Sequence, residues 1–277
     1  MTKEFYFAIF NHIIKLNLPS SVSEDCIDIF KEYNVKSRTA DLNIVLKNNN
    51  KNVNNIVLNE KKNEVVYNKI KIIENQNIYL LESTLFNGKL GSDYEYKLPA
   101  KYGKFPLIIR NIVRSAYAIF LLQKDGFLLH SSSIIYNKKS NLFSGLPGSG
   151  KTTLAEFAKK TGFTTQGDEF IAIRKINNIY YSFATPFGGS VRPDIKKSKI
   201  SKIFFIKQST KLSKKRLGFT ESVPMLLQNE FVSMSVHFKN KTQLQKFAIK
   251  KAIDFCNHIS CYELHFPYKE NILKKII

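Results

Sequence analysis

Cysteine is scarce in this chain of 277 residues. The three cysteines, Cys26, Cys256 and Cys261, are an odd number and contain no close C-x-x-C pair. This usage argues against a disulfide framework and against a zinc site, and it fits a reducing cytoplasm best.

Long apolar runs are also missing. The longest, residues 107–122, is interrupted by Arg110 and Arg114 and is short for a bilayer span. The N-terminus carries Glu4 early and Asn11 within its apolar stretch, which is not the layout of a secretory signal. We therefore expect a protein in solution, in the cytoplasm and without membrane insertion.

Arginine is rare although the chain is strongly basic. The net charge is +21, yet only six of the 43 basic residues are arginine. Phosphate-contacting surfaces more often use arginine, because its planar fork binds phosphate bidentately. We interpret the charge as a solvated lysine-rich surface, and the composition argues against nucleic acid as a partner. The alternative, binding of nucleic acid, predicts an affinity that falls steeply with salt.

The hydrophobic content of 43% is enough for one large domain or two small ones. We predict a mixed α/β region over residues 1–100, for docking a substrate or partner, and a catalytic domain over residues 101–277. Residues 88–103, with Gly91 and Pro99, have the composition of a passage between the two. The clearest strand patterns of the first region are residues 65–67, 70–73 and 78–81.

The second region alternates helical and strand patterns. We predict a helix over Pro106–Gln123. Proline suits its first turn, apolar residues recur every three or four positions, and Gly126 gives a stop. The further predicted strands are 127–136, 141–144, 200–206 and 261–266, and the further predicted helices are 153–160, one opening at Thr220, and 241–259.

A glycine-rich loop follows the second of these strands. Its residues match G-x-x-x-x-G-K-[ST] at every required position, with the expected strand before it and helix after it. In such a loop the backbone N–H groups face the β-phosphate, the lysine reaches the β- and γ-phosphates, and the hydroxyl reaches Mg²⁺. The predicted nucleotide-binding residues are Gly145, Leu146, Pro147, Gly148, Ser149, Gly150, Lys151, Thr152 and Thr153.

Two adjacent acids, Asp168 and Glu169, stand at the head of an alternating apolar run. One could orient Mg²⁺ while the other accepts a proton from an acceptor hydroxyl. They follow Lys151 so closely that only one short helix and a turn fit between. This spacing favours a fold in which the strand after the loop's helix carries the acids.

The order of these features resembles the catalytic core of the HPr kinase/phosphorylase family and its HPr kinase-related relatives, a core similar to the nucleotide-binding part of phosphoenolpyruvate carboxykinase. The resemblance is specific over residues 126–173 and looser over 185–189 and 261–266. It implies an α/β (α+β mixed) fold, a P-loop core behind a strand-rich N-terminal region. ATP or another NTP and Mg²⁺ are the implied cofactors, and the family's ring assemblies allow a homo-oligomer.

The resemblance also implies roles for individual residues. Lys151 matches the phosphate-binding lysine, and Thr152 matches the metal-binding hydroxyl residue. Asp168 matches the general base and metal partner, and Glu169 matches the second acid of the pair, so the implied metal ligands are Thr152, Asp168 and Glu169.

His130 matches a histidine near the phosphates, although Ser131 replaces the glycine that usually follows it. Without the resemblance, a histidine at the end of an apolar strand is more often a hydrogen-bonded structural residue. Both readings stay open here.

One family segment is missing. We find no Arg-Gly-Leu-Gly type sequence after the acids, and residues 188–192, Gly-Gly-Ser-Val-Arg, occupy that stretch. The departure weakens the expectation of HPr as substrate and of reverse phosphorolysis. Arg192 could contact a phosphate or be an ordinary surface arginine.

The main functional hypothesis is an ATP- and Mg²⁺-dependent kinase that phosphorylates a hydroxyl. A serine of a peptide or small protein is the favoured acceptor, and a small hydroxylated metabolite is the alternative. A second hypothesis, from another class, is a nucleotide-sensing regulatory or partner-binding module that transfers nothing.

Overall fold

The fold is described from a computed structural model of the chain. It covers residues 2–36, 39–48, 70–75, 78–82, 87–90, 94–98, 106–228, 236–238 and 243–277. Within these ranges no helix is long and apolar enough to cross a membrane. The predicted strand 65–67 lies outside the described residues.

The described elements make a mixed α/β protein. Strands and helices are, in chain order, β1 Thr2–Ile9, β2 His12–Pro19, a 3-10 helix Glu24–Tyr33, β3 Leu42–Asn48, β4 Ile70–Asn75, β5 Ile78–Glu82, β6 Asn87–Leu90, β7 Tyr94–Leu98, α1 Pro106–Gln123, β8 Gly126–Tyr136, β9 Lys139–Ser144, α2 Lys151–Lys160, β10 Thr164–Gly167, β11 Phe170–Ile176, β12 Ile179–Ala184, β13 Lys197–Gln208, β14 Ser213–Arg216, α3 Phe219–Gln228, β15 Val236–Phe238, α4 Gln243–His258, β16 Ser260–Phe266, a 3-10 turn Glu270–Ile272 and α5 Leu273–Ile276.

The chain divides into two compact units. Unit 1 comprises residues 1–120 and 234–245, and unit 2 comprises residues 121–233 and 246–277. The docking role expected for residues 1–100 and the catalytic role expected for 101–277 stay predictions.

Unit 1 contains a mixed sheet in the order β1-β2-β3-β7-β6-β5-β4-β15. Strand β2 buries every second residue, including Ile14, Leu16 and Leu18, so one of its faces forms core. The prediction that residues 88–103 form a passage between two regions is wrong in part. Residues 87–90 and 94–98 are paired strands, with Gly88 opposite both Leu81 and Tyr96.

Unit 2 contains a second mixed sheet, in which β8 and β13 each pair with three other strands. Strand β8 pairs antiparallel with β9, β10 and β11, and β9 and β16 flank β13 as parallel neighbours. Because β12 pairs with both β11 and β13, the pairings β8–β11–β12–β13–β9–β8 form a closed ring.

Helices α2 and α5 cover one part of this sheet. Their apolar residues pack with side chains of β8, β9, β13 and β16 into one core, made of Ile134, Phe143, Leu154, Phe157, Ala158, Phe204, Ile206, Leu264, Phe266, Ile272, Leu273 and Ile276. This core fixes the start of α2 against the ends of the parallel strands.

A one-residue shift interrupts the pairing of β10 with β8. Thr165 lies opposite Ile134 but Gly167 lies opposite Ser133, so Gln166 is the extra residue of a β-bulge. Gly167 has φ +118, a conformation that side chains rarely adopt. The bulge turns Gln166 and Asp168 to opposite faces of the sheet, whereas in a regular strand they would share one.

A buried hydrogen-bond network holds Gln166 in place. Its Oε1 accepts hydrogen bonds from the hydroxyls of Ser133, at 2.8 Å, and Ser182, at 2.6 Å. Its Nε2 donates to the Ser182 carbonyl at 3.2 Å, and Ser133 also bonds the Ser140 hydroxyl at 2.8 Å. Gln166 is 1% exposed, so this network joins β8, β9, β10 and β12 from inside.

Replacing Gln166 by leucine tests this network. Gln166→Leu should lower the free energy of unfolding by roughly 1–3 kcal/mol, because it leaves buried hydroxyls without their partner. Urea unfolding would measure the change, with Thr164→Val on the same strand as the control. Equal stability of Gln166→Leu and the parent chain would contradict the assignment.

An acid on α4 joins that helix to β11 and β12. Asp254 accepts hydrogen bonds from Lys175 Nζ, at 2.9 and 2.8 Å, and from the Tyr180 hydroxyl at 2.6 Å. Partial burial alone would raise the pKa of Asp254, but the hydrogen bonds from Lys175 and Tyr180 lower it below its ordinary value.

This shift makes the contribution of Asp254 dependent on pH. Since its folded pKa lies below its unfolded pKa, the stabilisation is present above about pH 4 and is lost as the pH falls through the folded pKa. Asp254→Asn should cost about 1 kcal/mol at pH 7, since the pair is partly exposed. Urea unfolding at pH 7 and pH 3 would measure this.

The matched control is Asp28→Asn, whose partner Lys31 and whose own side chain are both more than half exposed. It should change the stability little at either pH. A loss in Asp254→Asn that is the same at pH 3 as at pH 7 would contradict the account.

Candidate functional site

The glycine-rich loop joins the end of β9 to the start of α2, as predicted from the sequence. Gly148 and Gly150 have φ +78 and +100, which favours glycine at both positions. A Cβ on Gly150 would also lie 2.8 Å from the Phe266 ring. The sequence therefore needs glycine at position 150 for two independent reasons.

Lys151 is the first residue of α2 and is 6% exposed. Its Nζ donates hydrogen bonds to the carbonyls of Gly145, at 2.7 Å, and Leu146, at 3.2 Å. The amine is thus folded over the loop. The start of α2 has no side-chain cap hydrogen bond, and a helix N-terminus carries partial positive charge. Both features favour an anion at this position.

Asp168 and Glu169 lie in the bend between β10 and β11. The Ser131 N–H donates to the Glu169 carbonyl at 2.9 Å, so the bend stays attached to β8. Ser131 itself pairs with Ser144, the last residue before the loop. One residue of β8 therefore connects the acids to the start of the loop.

Asp168 is 2% exposed, and its carboxylate is held by the segment that follows β12. The Val191 N–H donates to its Oδ1 at 3.1 Å, and the Ser190 hydroxyl donates to its Oδ2 at 3.4 Å. A Cβ on Gly189 would meet the carboxylate oxygens at 2.8 and 2.9 Å. Only glycine leaves room for Asp168 here.

This segment, residues 185–194, is attached at both ends. Thr185 Oγ1 donates to the Phe170 carbonyl at 2.7 Å. Asp194 accepts from the Thr165 N–H at 2.8 Å and from Lys159 Nζ at 3.0 Å. Burial alone would raise the pKa of Asp194, but these bonds from Thr165 and Lys159 lower it. The attachments fix the donors that hold Asp168.

His130 lies on β8 opposite Phe170, and the two rings stack with centroids 5.1 Å apart. This stacking supports the structural reading. His130 also faces the cavity that the loop and the acids share, so the structure is compatible with both readings.

That cavity, of about 420 Å³, brings together most of the predicted site residues. It is lined by His130, Pro147, Gly148, Gly150, Lys151, Thr152, Thr153, Asp168, Glu169, Gly189, Ser190 and Gln208. Leu146 and Ser149 instead line a neighbouring cavity. Gly145 and Arg192 line neither.

Three lining residues were missed from the sequence as site residues. Gly189 and Ser190 belong to the Gly-Gly-Ser segment noted above, whose composition was the available signal. Gln208 is the last residue of β13, and its Nε2 donates to the Gly148 carbonyl at 3.4 Å. No motif marks Gln208.

The three predicted metal ligands line this one cavity. Among the described residues no group of three or more His, Cys, Asp or Glu could hold a metal ion. Mg²⁺ usually takes one or two carboxylates together with substrate phosphates. Thr152, Asp168 and Glu169 offer such a partial ligand set on one cavity.

The comparisons with known proteins find little. No protein-family model and no curated protein sequence matches the chain. Among solved structures, it is similar to the HPr(Ser) kinase/phosphatase from Coxiella burnetii, with a TM-score of 0.32 and 10% identity over 54% of this chain and 90% of that chain. At this TM-score and identity the likeness carries no argument about the fold or the function of the chain.

Replacing Gly189 by alanine tests the packing around Asp168. Gly189→Ala should lower the free energy of unfolding by about 1–3 kcal/mol, because the new methyl group collides with the carboxylate. Thermal or urea unfolding would measure it. Gly188→Ala is the matched control, since a Cβ there meets nothing within 4 Å. Equal stability of the two variants would contradict the described packing.

Proposed function

We propose that the chain is an ATP- and Mg²⁺-dependent kinase that transfers the γ-phosphoryl group to a hydroxyl, with a serine of a peptide or small protein as the favoured acceptor. One observation carries the proposal: Lys151 of the loop and Asp168 of the bend between β10 and β11 line the same cavity. Phosphoryl transfer needs a phosphate cradle and an acceptor-activating group within reach of each other.

The loop and Lys151 would bind the phosphates. The Lys151 amine, now bonded to the Gly145 and Leu146 carbonyls, would exchange these bonds for phosphate oxygens. The N–H groups at the start of α2 would add further donors. Together they would stabilise the negative charge on the transferring group.

Asp168 would accept the proton of the attacking hydroxyl. Hydrogen bonds from the Val191 N–H and the Ser190 hydroxyl hold the carboxylate in place. A base held in one orientation loses little entropy when the acceptor binds. The acceptor itself would enter from the open part of the cavity.

Thr152, Asp168 and Glu169 are the residues that would hold Mg²⁺. When bound, the ion supplies positive charge that offsets the charge of the phosphates. His130 lines the same cavity and would face the phosphates, and its stack on Phe170 would orient the ring.

Two substitutions separate binding from transfer. Lys151→Ala should weaken ATP binding at least about 10-fold, since it removes the charged donor. Asp168→Asn should lower transfer by about 100-fold or more, because the proton acceptor is lost, and should weaken ATP binding less than Lys151→Ala does. Calorimetry would measure binding, and label from γ-³²P-ATP would measure transfer to a serine-containing peptide library.

The matched controls lie on the same helix and are exposed: Lys160→Ala for the lysine and Glu156→Gln for the acid. Both should behave like the parent chain. Full transfer by Asp168→Asn would contradict the assigned base. Binding of ATP without transfer by the parent chain to peptides, hydroxylated metabolites or water would favour a nucleotide-sensing regulatory module instead.

A further inference from the structure

A second cavity lies on the other side of the glycine-rich loop. It measures about 480 Å³ and is lined by Leu146, Pro147, Gly148, Ser149, Phe205, Ile206, Lys207, Gln208, Met225 and Gln228. It shares Pro147, Gly148 and Gln208 with the first cavity. A single molecule that reaches past the loop could therefore occupy both.

The two cavities differ in chemistry. The first presents Lys151, Thr152 and two carboxylates. The second has no acidic residue among its lining residues, and Leu146, Phe205, Ile206 and Met225 give it apolar walls. Leu146 is 54% exposed although it is a large apolar side chain, which suits a position that a ligand covers.

Two glutamine amides add polar groups to these apolar walls. Gln208 already donates to the Gly148 carbonyl, so its side chain is oriented along the loop. Gln228, at the end of α3, is exposed, and its amide has both a donor and an acceptor group. A planar amide of this kind can pair with N6 and N7 of adenine.

We propose that the second cavity binds the adenine base of the nucleotide whose phosphates occupy the first. This inference rests on the proposed function and deepens it by naming the base. Apolar walls with a few oriented polar groups are the usual composition of a ligand site, and the volume falls within the usual range. Met225 and Leu146 contact the faces of the base, and Gln228 reads its edge.

The phosphoryl acceptor does not fit the second cavity. Its hydroxyl must reach Asp168, and Asp168 lines only the first cavity. The nucleoside, in contrast, must extend away from the transferring phosphate. The shared residues Pro147 and Gly148 mark the place where it leaves the first cavity.

The test compares a nucleotide with a ligand that lacks the base. Calorimetry would measure the affinity of ATP and of inorganic tripolyphosphate, each with Mg²⁺, for the parent chain and for Met225→Ala. Met225→Ala should weaken ATP about 5- to 20-fold, because apolar contact area is lost, and leave tripolyphosphate unchanged. Met225→Leu, which conserves volume, should retain ATP affinity.

Gln228→Ala tests the edge contact without removing a buried side chain. The parent chain should bind ATP more tightly than GTP, and Gln228→Ala should reduce this preference about 5-fold or more. Ile249→Ala, on α4 and 48% exposed, is the control and should leave all affinities unchanged.

The outcomes are distinguishable from failure of the proposed function. Tripolyphosphate binding that Lys151→Ala abolishes, together with ATP affinity unaffected by Met225→Ala and Gln228→Ala, would overturn the base site alone. An equal loss of ATP and tripolyphosphate affinity in Met225→Ala would also overturn it. A parent chain that binds neither ligand would overturn both the proposed function and this inference.

Discussion

The one-residue shift between β10 and β8 is the constraint on which the arrangement of unit 2 depends. Side chains alternate along a strand, so a shift of one residue exchanges the faces that they occupy. Here the shift sends Gln166 to the hydroxyls of Ser133 and Ser182 and leaves Asp168 on the face of His130. A strand without the bulge could not place both Gln166 and Asp168 in these positions.

The bulge acts together with the parallel strand β9. Ser144, at the end of β9, lies opposite Ser131, and the next residue of the chain begins the loop. Because the Ser131 N–H also binds the Glu169 carbonyl, the loop and the acids approach each other across a single residue of β8. The segment 185–194 then fixes the Asp168 carboxylate from the other side.

Local patterns in the sequence predicted much of the chain between residues 106 and 160. The helix over Pro106–Gln123 has the predicted bounds. The strands predicted at 127–136 and 141–144 both form, and they pair as a hairpin with Asn137 and Lys138 at positive φ. The glycine-rich loop, the strand before it and the helix after it could all be predicted, because each depends only on residues that are neighbours in the sequence.

Long-range features were harder to predict. The strands β1 and β2 were not identified, although β2 alternates clearly. Residues 88–103 were assigned to a passage because Gly88 was weighed without its strand partners. Gln166 and Gln208 carry no local signal. Their roles arise from partners such as Ser182 and Gly148, which the folded sheet brings close.

The most direct test of the central claim is a crystal structure of the chain with Mg²⁺ and a non-hydrolysable ATP analogue. The account predicts that Lys151 Nζ leaves the Gly145 carbonyl and contacts phosphate oxygens, with Asp168 facing the γ-phosphate in the same cavity. Phosphates bound elsewhere, with Lys151 still hydrogen-bonded to Gly145, would contradict it.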